Sequence, residues 1–213
     1  MRGISVSARM IATRTLSLFL LGLAALWLAM LLGGAGPVDR SILLSLYAGD
    51  YPLLALAALG FTFLGNWSTV VVVTVLGALW MLYRGQRRGA LLLLVASLTG
   101  RGIVILAKLY FARLRPEEHL RLAEVHYLSF PSGHSANSMI VYLGLALLAV
   151  DKPEHRRLAI SAALLLSFLI GLSRLLLGVH WPSDVVAGWS FGAFWLLVVL
   201  ALADRFLPGK KRA

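Results

Sequence analysis

The sequence contains no cysteine, which excludes disulfide bonds, thiol catalysis and thiolate metal sites. Charged residues are also scarce. They make up 14% of the 213 residues, and hydrophobic residues make up 60%. Soluble domains have about a quarter charged residues. Because no polar stretch is long enough to fold by itself, we predict an integral membrane protein with a single domain over residues 1–213.

Acidic residues are few, with nine Asp and Glu against 20 Lys and Arg, which gives a net charge of +11. Such an excess can indicate nucleic-acid binding. Here, however, the basic residues lie in short clusters between apolar runs, as they do where charge sets membrane topology. No polar face alternates basic and aromatic residues. We therefore predict a membrane partner and no nucleic acid.

The apolar runs predict an all-α bundle of six transmembrane helices, since hydrocarbon forces spanning segments to be helical. The predicted spans are Thr15–Gly34, Trp67–Tyr83, Ala90–Phe111, Ser135–Val150, Leu158–Leu177 and Pro182–Phe206. The first is expected to be a retained helix, because its apolar run is long for a signal peptide and no clean cleavage site follows. Pro37–Leu64 is apolar but interrupted at Asp50-Tyr51-Pro52, and it predicts short interfacial helices. The alternative is a seventh span bent at Pro52.

Basic residues mark one side of the predicted bundle. Thirteen of the 20 Lys and Arg residues lie on that side, in these four groups: Arg2, Arg9 and Arg14; Arg84, Arg87 and Arg88; Lys152, Arg156 and Arg157; Arg205, Lys210, Lys211 and Arg212. The positive-inside rule makes this side cytoplasmic, together with both termini. The connections 112–134 and 174–181 then face outward together.

The first polar stretch on the outer side carries two cations. Lys108 and Arg115 are seven residues apart, about two helical turns, so they can project from one face before Pro116 ends the helix. A lysine near the end of a span often only extends its amine to the interface. A second cation in phase favours an anion site instead.

The second stretch is Pro131-Ser132-Gly133-His134, at the start of a predicted span. Serine is a good N-cap, and glycine allows a ligand to approach the backbone closely. Free amides at a helix N-terminus bind anions. His134 would lie in that first turn.

The third stretch holds Arg174, His180 and Asp184. Pro182 suits the first position of a helix, which puts Asp184 in the first turn. Asp184 is four residues after His180, close enough to accept Nδ1–H and leave Nε2 as a nucleophile. The alternative is an interfacial histidine followed by an aspartate that the helix dipole favours.

Together the three stretches place three cations, two histidines and one carboxylate at one membrane face. Ionisable residues at membrane depth are functional candidates. A transporter would place them near the midplane, between inverted repeats. Because the charges cluster at one face and no repeat is visible, a transporter is the weaker alternative.

The order Lys108-x6-Arg115-Pro116, Pro131-Ser132-Gly133-His134 and Ser173-Arg174-x5-His180-x3-Asp184 resembles the type 2 phosphatidic acid phosphatase (PAP2) superfamily. This resemblance implies a six-helix membrane enzyme. It also implies that His180 attacks phosphorus, that His134 is the acid and base, and that Asp184 orients His180. The expected phosphate-binding residues are Lys108, Arg115, Ser132, Gly133 and Arg174.

The resemblance further implies that no metal or cofactor is needed. The sequence agrees, since it has no His-Glu-x-x-His motif and no acidic cluster. The expected substrate is a lipid phosphate such as undecaprenyl pyrophosphate, phosphatidylglycerophosphate or phosphatidic acid, at the outer face of a bacterial inner membrane. A lipid A phosphatase or phosphotransferase is an alternative. The sequence leaves open the physiological lipid, the oligomeric state and the role of Arg101.

Overall fold

The computed structural model describes residues 6–125 and 128–206, with side chains from residue 13 onward. Within these residues all regular structure is helical. The α-helices are α1 Val6–Gly33, α2 Pro37–Leu46, α3 Pro52–Gly65, α4 Trp67–Tyr83, α5 Arg87–Phe111, α6 Gly133–Leu148, α7 Pro153–Leu176 and α8 Pro182–Phe206. A short 3₁₀ turn covers Glu118–Leu120. The predicted all-α class is confirmed. The basic residues Arg2, Lys210, Lys211 and Arg212 lie outside the described residues.

Each predicted span coincides with a helix, but the count of six spans is not confirmed. Four helical segments of the described chain are long and apolar enough to cross a membrane, namely Thr13–Gly33, Arg87–Phe111, Pro153–Leu176 and Pro182–Phe206. The pair α3 and α4 gives a fifth only if the two helices are counted as one bent span. Helix α6 has 16 residues, fewer than the roughly 20 of a typical span.

The segment before α4 forms two helices. Pro37 begins α2 and Pro52 begins α3, as suits a residue that has no amide hydrogen to donate. The chain bends by 49° between α3 and α4, at Asn66 and not at Pro52. Helix α3 packs against α7 and α6, and its last residue, Gly65, lies beside His134 in the first turn of α6.

Helix α6 is the centre of the bundle and packs against α3, α4, α5, α7 and α8. Its Ile140 and Leu143 join Leu196 of α8 in the largest apolar core cluster. Two glycines let α8 approach α6 closely. A Cβ at Gly188 would lie 2.6 Å from the Ser132 carbonyl oxygen, and one at Gly192 would lie 2.6 Å from that of Ala136.

The two ends of the bundle differ in their polar contacts. At one end Arg84 and Gln86 contact Asp151, and Arg88 pairs with Asp204. At the other end α1, α5 and α7 terminate while α6 and α8 begin. All the candidate site residues lie at this second end.

Candidate active site

Four helix ends and one connection position the predicted side chains. Lys108 lies in the last turn of α5, His134 in the first turn of α6 and Arg174 in the last turn of α7. His180 lies in the connection between α7 and α8, and Asp184 in the first turn of α8. Because these helices alternate in direction, residues far apart in sequence meet at one end of the bundle.

His180 and Asp184 form a buried pair. Nδ1 of His180 lies 3.3 Å from Oδ2 of Asp184, and the two side chains are 2% and 0% exposed. The same oxygen accepts the Trp181 amide at 3.0 Å and the Ser129 hydroxyl. Oγ of Ser129 also lies 3.3 Å from the His180 Nδ1. These contacts fix both the carboxylate and the imidazole ring.

The other ring nitrogen of His180 faces Arg115. Nη1 of Arg115 lies 3.0 Å from Nε2 of His180 and donates to the Val179 carbonyl at 2.6 Å. A guanidinium has donors only, so Nε2 must be the acceptor in this contact. The ring proton is therefore on Nδ1, where it points to Asp184. This is the tautomer that leaves Nε2 as a nucleophile.

Charge and burial keep this imidazole neutral. Burial lowers the pKa of His180 well below its ordinary value of 6.5, and the positive charges of Arg115, Lys108 and Arg174 lower it further. Burial also lowers the pKa of Arg115 to about 10, although Asp184 acts in the opposite direction. At neutral pH a neutral imidazole thus lies beside a cation.

Lys108 binds the loop that follows α5. Its Nζ donates to the carbonyl oxygens of Leu128 at 2.6 Å and Ser129 at 3.0 Å. Arg115 also donates to Leu128, at 3.5 Å. The two predicted cations therefore hold Ser129 where it reaches both His180 and Asp184.

His134 is positioned by Asn66, at the bend between α3 and α4. Nε2 of His134 lies 2.9 Å from Oδ1 of Asn66. Gly65 makes this approach possible, because a Cβ there would lie 2.9 Å from Cδ2 of His134 and would clash with Ile170. The sequence analysis did not predict a role for Asn66.

Arg174 is almost fully buried, with 4% of its surface exposed. Its Nη1 donates to the Thr62 hydroxyl of α3. Among the described residues its Nε has no hydrogen-bond partner. A buried cation with one neutral partner is costly, and an anion beside it would offset that cost.

The start of α6 agrees only in part with the sequence prediction. Ser132 is the N-cap, since its Oγ accepts the Ser135 amide at 3.4 Å. The Ser132 amide, which the sequence analysis expected to be free for an anion, donates to the Asp184 carbonyl at 2.9 Å. Gly133 is the first helical residue, and the first amides of a helix have no partner within it.

Arg113 is a site residue that sequence reasoning missed. Its Nη1 pairs with Oδ1 of Asp184 at 3.0 Å. Its Nη2 donates to the carbonyl oxygens of Met30 at 3.1 Å and Leu31 at 2.7 Å, at the end of α1. Arg113 therefore ties α1 to the carboxylate that holds His180. The available signal was a third cation between Lys108 and Arg115.

Asp39 extends this network from α2. Its carboxylate accepts the Ser183 amide at 2.9 Å, the Ser183 hydroxyl at 2.5 Å and the Ala35 amide at 2.5 Å. Ser183 also accepts from Nη1 of Arg113 at 2.9 Å. The polar network behind His180 thus reaches the start of α8 and the α1–α2 connection.

Arg101 lies outside this cluster. Its guanidinium lies 5.5 Å from the centre of the Trp67 ring, a cation–π contact. Metal ligands also do not converge here. In residues 6–125 and 128–206, no three His, Asp or Glu side chains are arranged to hold a metal ion.

A cavity of about 400 Å³ adjoins the site on the outer side of α5. We call it the cationic cavity, because Lys108, Arg115 and Arg121 all line it. Its apolar lining includes Ile105 and Leu109 of α5. A lining that combines cations with apolar side chains suits an amphiphile with an anionic head.

Sequence comparison identifies relatives with this motif order. A sequence model of the PAP2 superfamily matches residues 89–207. Phosphatidylglycerophosphatase B of Bacillus subtilis is 32% identical over 151 residues, or 68% of this chain and 73% of that protein. Undecaprenyl-diphosphatase of Sulfolobus acidocaldarius is 29% identical over 155 residues, or 70% of this chain and 71% of that protein.

Two solved structures share the architecture. A transmembrane PAP2 type phosphatidylglycerolphosphate phosphatase from Bacillus subtilis superimposes with a TM-score of 0.82 at 26% identity, covering 90% of this chain and 98% of that chain. LpxE of Aquifex aeolicus gives a TM-score of 0.64 at 24% identity, covering 78% of this chain and 97% of that chain. The second likeness concerns the fold alone.

Proposed function

This multi-pass membrane protein belongs to the PAP2 superfamily, and we propose that it hydrolyses the terminal phosphate of a membrane lipid with His180 as the nucleophile. The observation that carries the proposal is the pattern of hydrogen bonds to the two ring nitrogens of His180. Nδ1–H of His180 points to Asp184, and Nε2 accepts from Arg115. A ring held in this way presents a lone pair next to a phosphate-binding cation.

In the first step, Nε2 of His180 attacks phosphorus as the bond from phosphorus to the leaving oxygen breaks. His134 donates its proton to that oxygen, so the lipid leaves as an alcohol or as a lipid monophosphate. Asp184 stabilises the positive charge that forms on His180. In the second step water attacks the phosphohistidine, His134 accepts the water proton, and phosphate leaves as the N–P bond breaks.

The phosphoryl oxygens would be held by Arg115, Arg174 and Lys108, together with the Gly133 amide. Arg174 fits this role because its buried guanidinium has an Nε without a hydrogen-bond partner among the described residues. Charge-assisted bonds from guanidinium groups are stronger than neutral ones. Their contribution rises as charge builds up on the oxygens in the transition state.

The relatives suggest the substrate class. The printed names include phosphatidylglycerophosphatase B and undecaprenyl-diphosphatase, and lipid A 1-phosphatase of Rhizobium johnstonii matches over 77 residues. All of these names denote removal of phosphate from a lipid. We propose a polyprenyl diphosphate or a glycerophospholipid phosphate as the substrate of this chain.

For the orientation we propose a cytoplasmic N-terminus and C-terminus and an active site at the periplasmic or extracellular face. The positive-inside rule supports this orientation. Arg84 and Arg88 lie at the end of the bundle opposite His180, close to Asp151 and Asp204. A lipid of the outer leaflet would then reach the site from the side.

A phosphate-release panel on the purified protein tests the function. Undecaprenyl diphosphate, phosphatidylglycerophosphate and phosphatidic acid are compared in one detergent, each with and without EDTA. We expect release from at least one lipid at an unchanged rate in EDTA, because protein cations supply the electrostatics. Release from none of the three contradicts the proposed function. A loss in EDTA that Mg²⁺ restores contradicts metal-free catalysis.

The pH dependence of kcat/KM tests the state of His180. Protonation of Nε2 abolishes the nucleophile, and the pKa of His180 is lowered by burial and by nearby cations. We therefore expect the acidic limb to lie below about pH 6.5. Arg115→Gln removes a positive charge and should move that limb to higher pH. Any ionisation of the substrate affects the unmodified enzyme and Arg115→Gln in the same way. Acidic limbs at the same pH in both enzymes therefore contradict the assignment of this limb to His180.

A further inference from the structure

Arg121 is a cation near the active site that the hydrolytic steps above do not use. It lies just after the 3₁₀ turn, and its Nε and Nη2 both donate to the Pro116 carbonyl, at 2.9 and 2.7 Å. These two bonds fix the plane of the guanidinium. Among the described residues Arg121 has no carboxylate within ion-pair distance. Its position is therefore set by the backbone and leaves the charge available.

The cationic cavity connects Arg121 to the catalytic residues. Arg115 belongs to both, since it lines the cavity and its Nη1 lies 3.0 Å from Nε2 of His180. Lys108 lines the cavity as well, and no acidic residue does so in the described part of the chain. A substrate whose terminal phosphate reaches His180 past Arg115 would leave its next groups in this cavity.

Charge decides what those groups are. A phosphate monoester carries at most two negative charges, and Arg115, Lys108 and Arg174 already face its oxygens in the proposed mechanism. Arg121 is therefore the cation of the cavity that the terminal phosphate does not use. A lipid with a second phosphate brings the additional negative charge to Arg121. Glu118 and Glu124 line a second cleft, which Arg121 also lines. These carboxylates repel an anion from that cleft and leave the cationic cavity as the favoured place.

The apolar lining of the cavity suits hydrocarbon. Ile105 and Leu109 are one helical turn apart on α5, and they are 45% and 68% exposed on the outside of the bundle. An acyl or prenyl chain that leaves the cavity along Ile105 and Leu109 enters the bilayer directly. The cations of the cavity thus suit the headgroup of a lipid, and its apolar residues suit the lipid tail.

We propose that the cationic cavity is a second anion subsite, in which Arg121 binds the phosphate that remains on the lipid. The enzyme then prefers lipids with two phosphate groups over lipids with one. The second group is the inner phosphate of a lipid diphosphate or the phosphodiester of a phosphoglycerol lipid. This inference rests on the proposed function, because it takes the terminal phosphate to be the one that His180 attacks.

Two matched pairs of lipids test the subsite with Arg121→Gln. One pair is undecaprenyl diphosphate and undecaprenyl monophosphate, and the other is phosphatidylglycerophosphate and phosphatidic acid with the same acyl chains. In at least one pair we expect kcat/KM for the two-phosphate lipid to fall roughly tenfold, mainly through KM, as for loss of one charge-assisted bond. Its single-phosphate partner should change little. The pair that responds identifies the second group.

Two variants serve as controls. Arg121→Lys keeps the charge and should restore most of the preference. Arg40→Gln removes an exposed arginine that pairs with Glu117 at the same end of the bundle but does not line the cavity. It should leave the ratio within each pair unchanged. An equal loss on both members of each pair, or no loss at all, overturns the subsite.

A measurement on the unmodified enzyme does not depend on variant folding. Inorganic pyrophosphate should inhibit it more strongly than inorganic phosphate at equal concentration, because it occupies both subsites. Equal inhibition contradicts the subsite. If the unmodified enzyme releases phosphate from none of the four lipids, the proposed function itself fails. If phosphate is released but Arg121→Gln does not change the ratio of kcat/KM within either pair of lipids, only the subsite is rejected.

Discussion

Replacement of His180 by alanine is expected to reduce phosphate release at least ~10⁴-fold, the order seen when a hydrolase loses its nucleophile. No other described histidine has a ring nitrogen held by Asp184, so no neighbour can replace it. The measurement is inorganic phosphate release from the best lipid of the panel, with elution in detergent as a check on folding. His180→Gln removes the nucleophile with less change in volume.

His119→Ala is the matched control for this prediction. His119 is exposed in the 3₁₀ turn at the same end of the bundle. Surface substitutions usually change stability little, so we expect activity within about twofold of the unmodified protein. If His180→Ala retains full turnover, the nucleophile assignment is wrong. If His119→Ala loses activity to the same extent, the site lies elsewhere in the connection between α5 and α6.

Asp184→Asn is expected to lower kcat by roughly 10⁴-fold, as the same replacement does in the Ser-His-Asp triad of serine proteases. Oδ2 of Asp184 accepts from His180, Ser129 and the Trp181 amide, and Oδ1 accepts from Arg113. The asparagine amide replaces one of these two acceptor oxygens with an NH₂ group, which faces donors that it cannot bind. It can neither hold the Nδ1–H tautomer well nor stabilise the positive phosphohistidine. Lipid binding should change less than kcat.

Asp39→Asn separates this role from a purely structural one. Asp39 belongs to the same buried network through Ser183, but it does not contact His180. We expect this variant to lose about 1–3 kcal/mol of stability, because a buried acceptor is replaced. Its kcat should remain within a few-fold. Equal losses of kcat in both variants would mean that Asp184 acts only through the fold, and thermal unfolding in detergent gives the comparison.

The sequence predicted those contacts of the site that join residues close together in the chain. Asp184 follows His180 by four residues, so a helix beginning at Pro182 brings the carboxylate to the ring without any long-range contact. Ser132 is an N-cap for the same local reason. Apolar run length predicted a helix at each of six positions. It did not establish the number of spans, because α6 is short and α3 continues into α4 through a bend.

Partners from distant segments were not predictable from one sequence. In the sequence Arg113 is one more cation between Lys108 and Arg115. Only the packing of α1 and α8 directs it to Asp184. Asn66 has no predicted role in the sequence, and only the bend after α3 brings it to His134. The free amide expected at Ser132 is bonded to Asp184 because Gly188 lets α8 approach α6.

The sequence by itself determined the helical class, the motif residues and the end of the bundle at which they lie. Hydrocarbon leaves a spanning segment no alternative to helix, and alternating direction decides which helix ends are neighbours. Only the tertiary structure decided how each ring and guanidinium is bonded. A hydrogen bond requires donor and acceptor within about 3 Å, and the close packing of glycine-bearing helices sets that distance.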